Sequence, residues 1–554
     1  MKNMCRSCFL RFLSAAVLLV FLAGVWMLPD GTVMASPVLS LTLTRTNSWE
    51  EGGKTRSQYS ATIHNEGTSS AAGSLPTDTN APVQDDWLHT DGNKILDKNG
   101  TAVWLTGINW FGYNTGTNVF DGVWTCNMQS AIASIADHGF NLLRIPISSE
   151  LILDWRDKIF PAANFNQALN PELVGKTSLE ILDLAIAACK SNGIKVMFDI
   201  HCAKTDRMGH MVNLWYTDSI STQDYDDSLS FLAKRYAKDD TVIAYDLKNE
   251  PHGKPGEKGA IWNDSTSMNN WKNAAETAGN LVLDANPNLL IMIEGIEIYP
   301  KDIKANGDFS STDSADYYFN WWGGNLRGVL DYPIDFGSKE RNAQIVYSPH
   351  DYGPAVYAQP WFEDGFTYES LQQDCWNDNW LYISKENIAP VLIGEWGGYM
   401  TQPNLTWMTY LRQLIADNRL NHTFWCFNAN SGDTGGLVKD DFVTWDKEKY
   451  EFVKEFLWQE DGKFVGLDHV TALGKSENGI SLSAVSGSAG NPANPSGSTS
   501  DNTAVPDDQE PEWSALEIGL AAGGILLILA VSVGVGYFTY KRNKMKGEDS
   551  KRGT

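Results

Sequence analysis

Apolar runs of strand length alternate with segments of helical spacing through most of this chain. The strand candidates are 103–111, 141–147, 195–201, 242–250, 289–296, 345–352, 390–396 and 423–428. Between them lie amphipathic stretches. Leu179, Leu182 and Ile186 mark 178–190, Leu229 and Leu232 mark 225–237, and Ala274, Ala278 and Leu281 mark 271–284. Apolar residues three and four apart share one helical face, whereas continuously apolar strands suit a parallel sheet buried on both sides. Eight such strands interleaved with helices predict an α/β fold, a (β/α)8 TIM barrel with enlarged loops. A doubly wound open sheet is the alternative, but no G-x-G-x-x-G turn follows a first strand. Ahead of the barrel, 88–96 and 102–105 flank Asp97-Lys98-Asn99-Gly100, which predicts a hairpin with an Asn-Gly turn.

The pattern changes at both ends. Lys2, Arg6 and Arg11 precede an apolar run over 12–28, and Val33-Met34-Ala35 supplies small residues. This predicts a signal peptide over 1–35, with an uncleaved anchor as the alternative. Residues 36–85 are rich in Ser, Thr, Gly and Asn, with two strand-like alternations at 41–45 and 59–63. The barrel domain is expected over 86–475, followed by a flexible linker over 476–514. Residues 518–540 carry no charge, and at about 1.5 Å per helical residue they reach across a bilayer core of ~30 Å. The predicted transmembrane helix is 515–540. The basic tail 541–554, opening with Lys541-Arg542, puts the C-terminus in the cytoplasm and the barrel outside the cell membrane.

Composition narrows the partners. A formal net charge of -25 over 554 residues repels phosphate backbones, so nucleic acid is set aside. Trp is abundant, with 21 residues. Most of them serve a large core, but some can act as platforms for the C–H faces of sugar rings. Beyond Cys5 and Cys8, the five cysteines Cys126, Cys189, Cys202, Cys375 and Cys426 are odd in number and widely spaced. No disulfide framework is expected, at least one thiol stays unpaired, and a Cys126–Cys202 bridge is left open. His201, Cys202 and His210 lack the paired spacing of a structural metal site. No metal or cofactor is expected, and the chain is expected to be a monomer.

Two strand ends carry chemistry. The run 242–248 ends in Asn249-Glu250, and Pro251 stops it by removing a backbone donor. The run 389–394 ends in Glu395, followed by Trp396-Gly397-Gly398. The strand count puts Glu250 at the end of strand four and Glu395 at the end of strand seven, opposed across a barrel mouth. Two opposed carboxyl groups are what glycosidic bond cleavage requires. One protonates the leaving oxygen, and the other stabilises or attacks the sugar carbon.

These two positions belong to a longer series of motifs. It runs from Thr106-Gly107-Ile108-Asn109-Trp110-Phe111-Gly112 through Leu143-Arg144-Ile145-Pro146 and Phe198-Asp199-Ile200-His201 to Asp246-Leu247-Lys248-Asn249-Glu250-Pro251-His252. Val346-Tyr347-Ser348-Pro349-His350-Asp351-Tyr352, Ile393-Gly394-Glu395-Trp396 and Trp425 ahead of Ser431-Gly432-Asp433-Thr434-Gly435-Gly436 complete it. In this order the chain resembles glycoside hydrolase family five, close to its bacterial endo-β-1,4-glucanases, from residue 87 to about residue 470. The resemblance implies Glu250 as acid/base, Glu395 as nucleophile and retention of anomeric configuration, with the carboxyl groups about 5–5.5 Å apart. Glu250 would then need a raised pKa, from desolvation and a negative Glu395, while Arg144 would keep Glu395 ionised.

By the same resemblance, Asn249 donates to the sugar 2-hydroxyl, Tyr352 bonds Glu395 and His350 supports the acid/base. His201 lines the subsite and Trp425 forms its floor. Trp110, Trp215, Trp321 and Trp322 are further stacking candidates, while His138 and His422 read as structural. The implied activity is retaining endo-hydrolysis of β-1,4-glucosidic linkages in cellulose or related β-glucans at the cell surface, with the polysaccharide as partner. A β-mannanase or xyloglucanase on the same barrel is the alternative. A non-catalytic membrane-bound glycan receptor is the rival from another class, and the presence of Glu250 and Glu395 together argues against it. Thr46-Asn47-Ser48-Trp49 and Ile63-His64-Asn65-Glu66-Gly67 resemble the opening of a family-two cellulose-binding β-sandwich. Only a fraction of such a module is present, so 36–85 is read as a spacer or remnant without a binding role.

Overall fold

The structure, a computed structural model, describes residues 85–363 and 365–486 together with the backbone of 39–51 and 54–65. Leu39–Glu51 and Lys54–Asn65 pair as an antiparallel ribbon, with a register shift between Arg45 and Asn47. The alternations at 41–45 and 59–63 lie inside these strands, which run farther than the sequence pattern suggests. The expected signal peptide, the linker beyond 486, the transmembrane segment and the basic tail lie outside the described residues. Among the described residues no helix is long and apolar enough to cross a membrane.

A second unit begins at Asp86. Its eight parallel strands are β1 (Thr106–Asn109), β2 (Leu142–Ser148), β3 (Lys195–Cys202), β4 (Val242–Asp246), β5 (Leu290–Ile293), β6 (Ile345–Tyr347), β7 (Leu392–Trp396) and β8 (Asn421–Phe424). Their order is β6-β5-β4-β3-β2-β1-β8-β7. Parallel bridges Tyr347–Val391 and His350–Glu395 join the two edges, so the sheet closes into a barrel. Helices cover its outside. Ser178–Ser191 and Thr222–Arg235 both start with capping boxes, Thr177 with Glu180 and Ser221 with Asp224, which satisfy the first free N–H groups of each helix.

The two-residue side-chain period of each strand sorts the barrel interior into layers. Leu142, Met197, Leu290, Met292, Val346 and Leu392 belong to an apolar cluster that also holds Leu88, Ile95 and Val103 of the N-terminal hairpins. Their strand neighbours Leu143, Phe198, Ile291, Ile293 and Ile393 belong to the larger cluster shared with the helices. Two residues further along each strand, the inward positions become Arg144, Asp199, Asp246 and Glu294, all completely buried. One end of the barrel is therefore an apolar plug and the other a charged floor.

The hairpin before the barrel differs from expectation in one respect. Lys94–Asp97 pairs with Ala102–Val103 as the Asn-Gly turn predicts, but an earlier turn separates it from Leu88–Asp91. Gly92 in that turn has φ 56°, a conformation that costs glycine little. The Asp91-Gly92 pair was the available signal.

Candidate active site

Arg144 organises the charged end of the barrel. Its Nη1 donates to Glu395 Oε1 at 2.7 Å and to Asn109 Oδ1 at 3.0 Å. Its Nε and Nη2 donate to Asp246 Oδ2 at 3.1 and 2.8 Å. Nη2 also lies 3.1 Å from Asp199 Oδ2, and donates to Glu294 Oε1 at 3.3 Å and Asn249 Oδ1 at 3.2 Å. Burial works against the charge on Arg144, but Asp199, Asp246, Glu395 and Glu294 outweigh it and hold the guanidinium protonated. The same burial raises the carboxyl groups: Asp199 to about 6, and Asp246 and Glu294 also upward. Glu395 has its second oxygen fixed too, accepting from the Tyr352 hydroxyl at 2.6 Å.

Asn249 has its amide orientation settled by this contact. A guanidinium offers donors only, so Oδ1 must face Arg144. Nδ2 is then left without a partner in a side chain that is almost fully buried. It is a free, oriented donor.

Glu250 departs from the expected strand end. Pairing in β4 stops at Asp246. The chain continues along its neighbours through Leu247 N–H to Met292 O and Asn249 N–H to Ile200 O, and then turns. Glu250 sits at φ 52°, left-handed for a residue with a Cβ, at a cost of about 1–3 kcal/mol. Its turned N–H donates to Glu294 Oε2 at 2.7 Å.

His350 lies between the opposed carboxyl groups. Its Nδ1 is 3.0 Å from Glu250 Oε1 and 3.6 Å from Glu395 Oε2, and its Nε2 is 3.1 Å from Glu294 Oε1. Oxygens of Glu250 and Glu395 come within 4.8 Å of each other. Burial opposes protonation of His350, yet Glu294, Glu395 and the contact with Glu250 raise it well above the ordinary range. The expected raised pKa of Glu250 is corrected by this neighbour. Burial pushes Glu250 up, but the hydrogen bond and charge of His350 outweigh it and pull the carboxyl down to about 2. In the free site Glu250 is a carboxylate beside an imidazolium.

A cleft of about 1380 Å³ opens above this floor, lined by Glu250, Glu395, Tyr352 and His201. Drug-sized pockets occupy about 300–1,000 Å³, so this cleft has room for several linked sugar rings. Trp425 lines it, near-parallel to Phe111 and to His201, each with ring centroids 5.6 Å away. Trp321 and Trp322 also line it, and Trp322 stacks on His252 at 3.7 Å. Burial keeps His201 neutral. Its Nδ1–H donates to Asp199 Oδ2 at 2.5 Å, which leaves Nε2 as the acceptor.

Two stacking candidates are corrected. Trp110 is completely buried, stacked on Phe120 with its Nε1–H donated to Asp121 O. Trp215 is buried against Trp271. Both are large apolar side chains taken by the core rather than the cleft. His138 packs against Trp445, and His422 bonds Trp396 and Phe456, away from the cleft lining. All five cysteines of the described residues are free and buried.

Asp199, Asp246, Lys248 and Glu294 were not among the residues expected to shape the site. Glu294 had a signal: it continues the inward series Leu290, Met292. Asp199–His201–Glu395, Asp246–Glu294–His350 and Glu250–His350–Glu395 are each close enough to hold a metal ion. However, the Arg144 guanidinium already stands against four of these carboxyl groups. It supplies the positive charge such a group would otherwise need.

The family described as Cellulase (glycosyl hydrolase family 5) matches residues 96–431. Endoglucanase G of Acetivibrio thermocellus is 49% identical over 76% of this chain and 78% of its own length. Endoglucanase B of the same organism is 43% identical over 73% and 78%. A cellotetraose complex of an endocellulase from Pyrococcus horikoshii superposes with a TM-score of 0.59 at 31% identity, covering 67% of this chain and 98% of that one.

The depressed pKa of Glu250 ties stability to pH. A carboxyl pulled from 4.5 to about 2 on folding contributes stability that is present above pH 4.5 and lost as pH falls towards 2. Glu250→Gln should therefore be less stable than the wild type near pH 6, with the gap closing on acidification. Urea unfolding midpoints across pH 2.5–6 check this, and a gap independent of pH would contradict the His350–Glu250 pairing.

Proposed function

The chain belongs to glycosyl hydrolase family 5, and from that premise we propose that it is an endo-β-1,4-glucanase working by double displacement on Glu395 and Glu250. The observation that carries the mechanism is that one oxygen of Glu250 and one of Glu395 lie within 4.8 Å of each other, with His350 between them, too close for carboxyl groups held apart to admit a water. Retaining glycosidases hold them about 5–5.5 Å apart, whereas inverting ones need about 6.5–9.5 Å to admit water between them. The substrate reading draws on the endoglucanase relatives and on the size and aromatic lining of the cleft. An open groove with sugar platforms around the reacting centre accepts the interior of a chain.

Glu395 is held by Arg144 and Tyr352 with both oxygens directed, which suits attack on the anomeric carbon. As the new C–O bond forms, the glycosidic C–O bond breaks and Glu250 gives its proton to the leaving oxygen. Glu250 must be protonated for this step. The proton lies one hydrogen bond away on His350 Nδ1, and a sugar that displaces water from the cleft disfavours the separated charges and drives it across. Glu250 then takes a proton from water as the glycosyl–Glu395 bond is hydrolysed. The free Asn249 Nδ2 is placed to donate to the sugar 2-hydroxyl, Trp425 to carry the ring under attack, and His201 to accept from a hydroxyl beside it.

For location we propose an enzyme held at the cell surface with its barrel outside. The uncharged run 518–540, flanked by Lys541-Arg542, supports this reading together with the apolar N-terminal segment.

Two experiments test these readings. Glu395→Ala should lower hydrolysis of carboxymethylcellulose by at least about a thousandfold, and wild-type product should appear first as the β-anomer by proton NMR. Undiminished activity, or an α-anomer, would overturn the mechanism. A chain ending before Leu516 should be released soluble and active into the medium; retention in the membrane fraction would place the anchor at the N-terminus instead.

A further inference from the structure

Glu294 takes no part in the double displacement, yet it grips the acid/base residue from two directions. It is completely buried and directly follows β5. Oε2 accepts the turned backbone N–H of Glu250 at 2.7 Å. Oε1 lies 3.1 Å from His350 Nε2, while His350 Nδ1 is 3.0 Å from Glu250 Oε1. Gly323, at φ 70°, passes so close that a Cβ there would come within 2.2 Å of Glu294 Oε2. The neighbouring loop leaves the carboxyl its space only because that residue is glycine.

His350 Nε2 and Glu294 Oε1 stand at ion-pair distance but out of hydrogen-bond alignment, so the carboxyl has to turn into line to complete a carboxyl–imidazole–carboxyl path carrying two titratable hydrogens. In one arrangement Glu294 is the acid, His350 carries Nδ1–H and Glu250 is ionised. Shifting both protons one place gives an ionised Glu294, His350 with Nε2–H, and a protonated Glu250. Between them lies the imidazolium flanked by two carboxylates. All three arrangements have the same atoms and the same total charge, so no outside proton source is involved.

We propose that Glu294 is a positioning residue for the acid step, a proton reservoir that acts through His350 to load Glu250 and pins its left-handed main chain. The inference rests on Glu250 being the acid/base. The groups facing Glu294 are Arg144 from β2, Asp246 and Lys248 from β4 and its extension, and His350 from the end of β6. Burial raises Glu294 well above the usual carboxylate range, against the pull of His350 and Arg144, so Glu294 competes with His350 for the proton that Glu250 gives up in the free site. Glu250, at the other end of the line, is the group pulled down.

The test compares kcat/KM for two substrates in Glu294→Gln: an aryl β-cellobioside with a dinitrophenol leaving group, which departs without protonation, and cellotetraose, which needs it. The cellotetraose value should fall at least tenfold and the dinitrophenyl value less than threefold. The basic limb for cellotetraose should move down by about one pH unit or more. Equal losses on both substrates with an unmoved limb would reduce Glu294 to a structural support and overturn the proposal. Thermal unfolding confirms that the variant folds. If it does not, Glu294→Asp, with its carboxyl drawn back by one methylene, should show the same substrate selectivity, and equal losses there overturn the proposal too. Glu250→Ala is the control. If it lacks the selectivity, the acid/base assignment fails; if it shows it while the Glu294 variants do not, only the role of Glu294 falls.

Discussion

A buried guanidinium that cannot give up its proton has to be matched by anions, and Arg144 is matched by four of them. The barrel makes this affordable because consecutive strands present inward side chains at one level. Asp199 and Asp246 are direct register partners on β3 and β4, and Arg144 pairs with Asn109 across β1 and β2. Removing one partner would leave the others as uncompensated buried charge, typically about 3–5 kcal/mol. The geometry of Glu395 and the free donor of Asn249 both follow from where this one cation points.

The same cluster contains more acids than bases. Asp199, Asp246, Glu250, Glu294 and Glu395 share the barrel floor with Arg144, Lys248 and His350. Five carboxyl groups cannot all ionise in a dry interior against three cations, so protons are retained within it. Which group keeps them is the chemical question of the site. His350 decides it for the free protein by ionising Glu250, and that makes proton return to Glu250 a step the fold has to provide.

Much of this is legible in the sequence. The eight apolar runs became the eight strands, because strands buried on both faces must be apolar, and the two carboxyl groups stand at one mouth, because parallel strands end together. What escaped the pattern has physical reasons. The apolar run into Leu247 hides the end of pairing at Asp246, since side-chain character does not record a left-handed turn at Glu250. Trp110 and Trp215 look like any other tryptophan in the sequence; only packing against Phe120 and Trp271 separates them from Trp425 and Trp322. The low pKa of Glu250 depends on an imidazole one hundred residues away in sequence and 3.0 Å away in space. Glu294 was accessible through the inward alternation of β5, but a carboxyl in an apolar run announces burial without announcing its partners.

The central claim is that Glu395 forms a covalent bond to the sugar while Glu250 handles the proton. A 2-deoxy-2-fluoro-β-cellobioside with a good leaving group slows both steps and hydrolysis of the intermediate most of all, so the intermediate accumulates. Mass spectrometry of the proteolysed enzyme should then find one fluorocellobiosyl unit on the peptide containing Glu395, at that residue. A label on Glu250 or on any other side chain, or continued turnover with no adduct, would contradict the account.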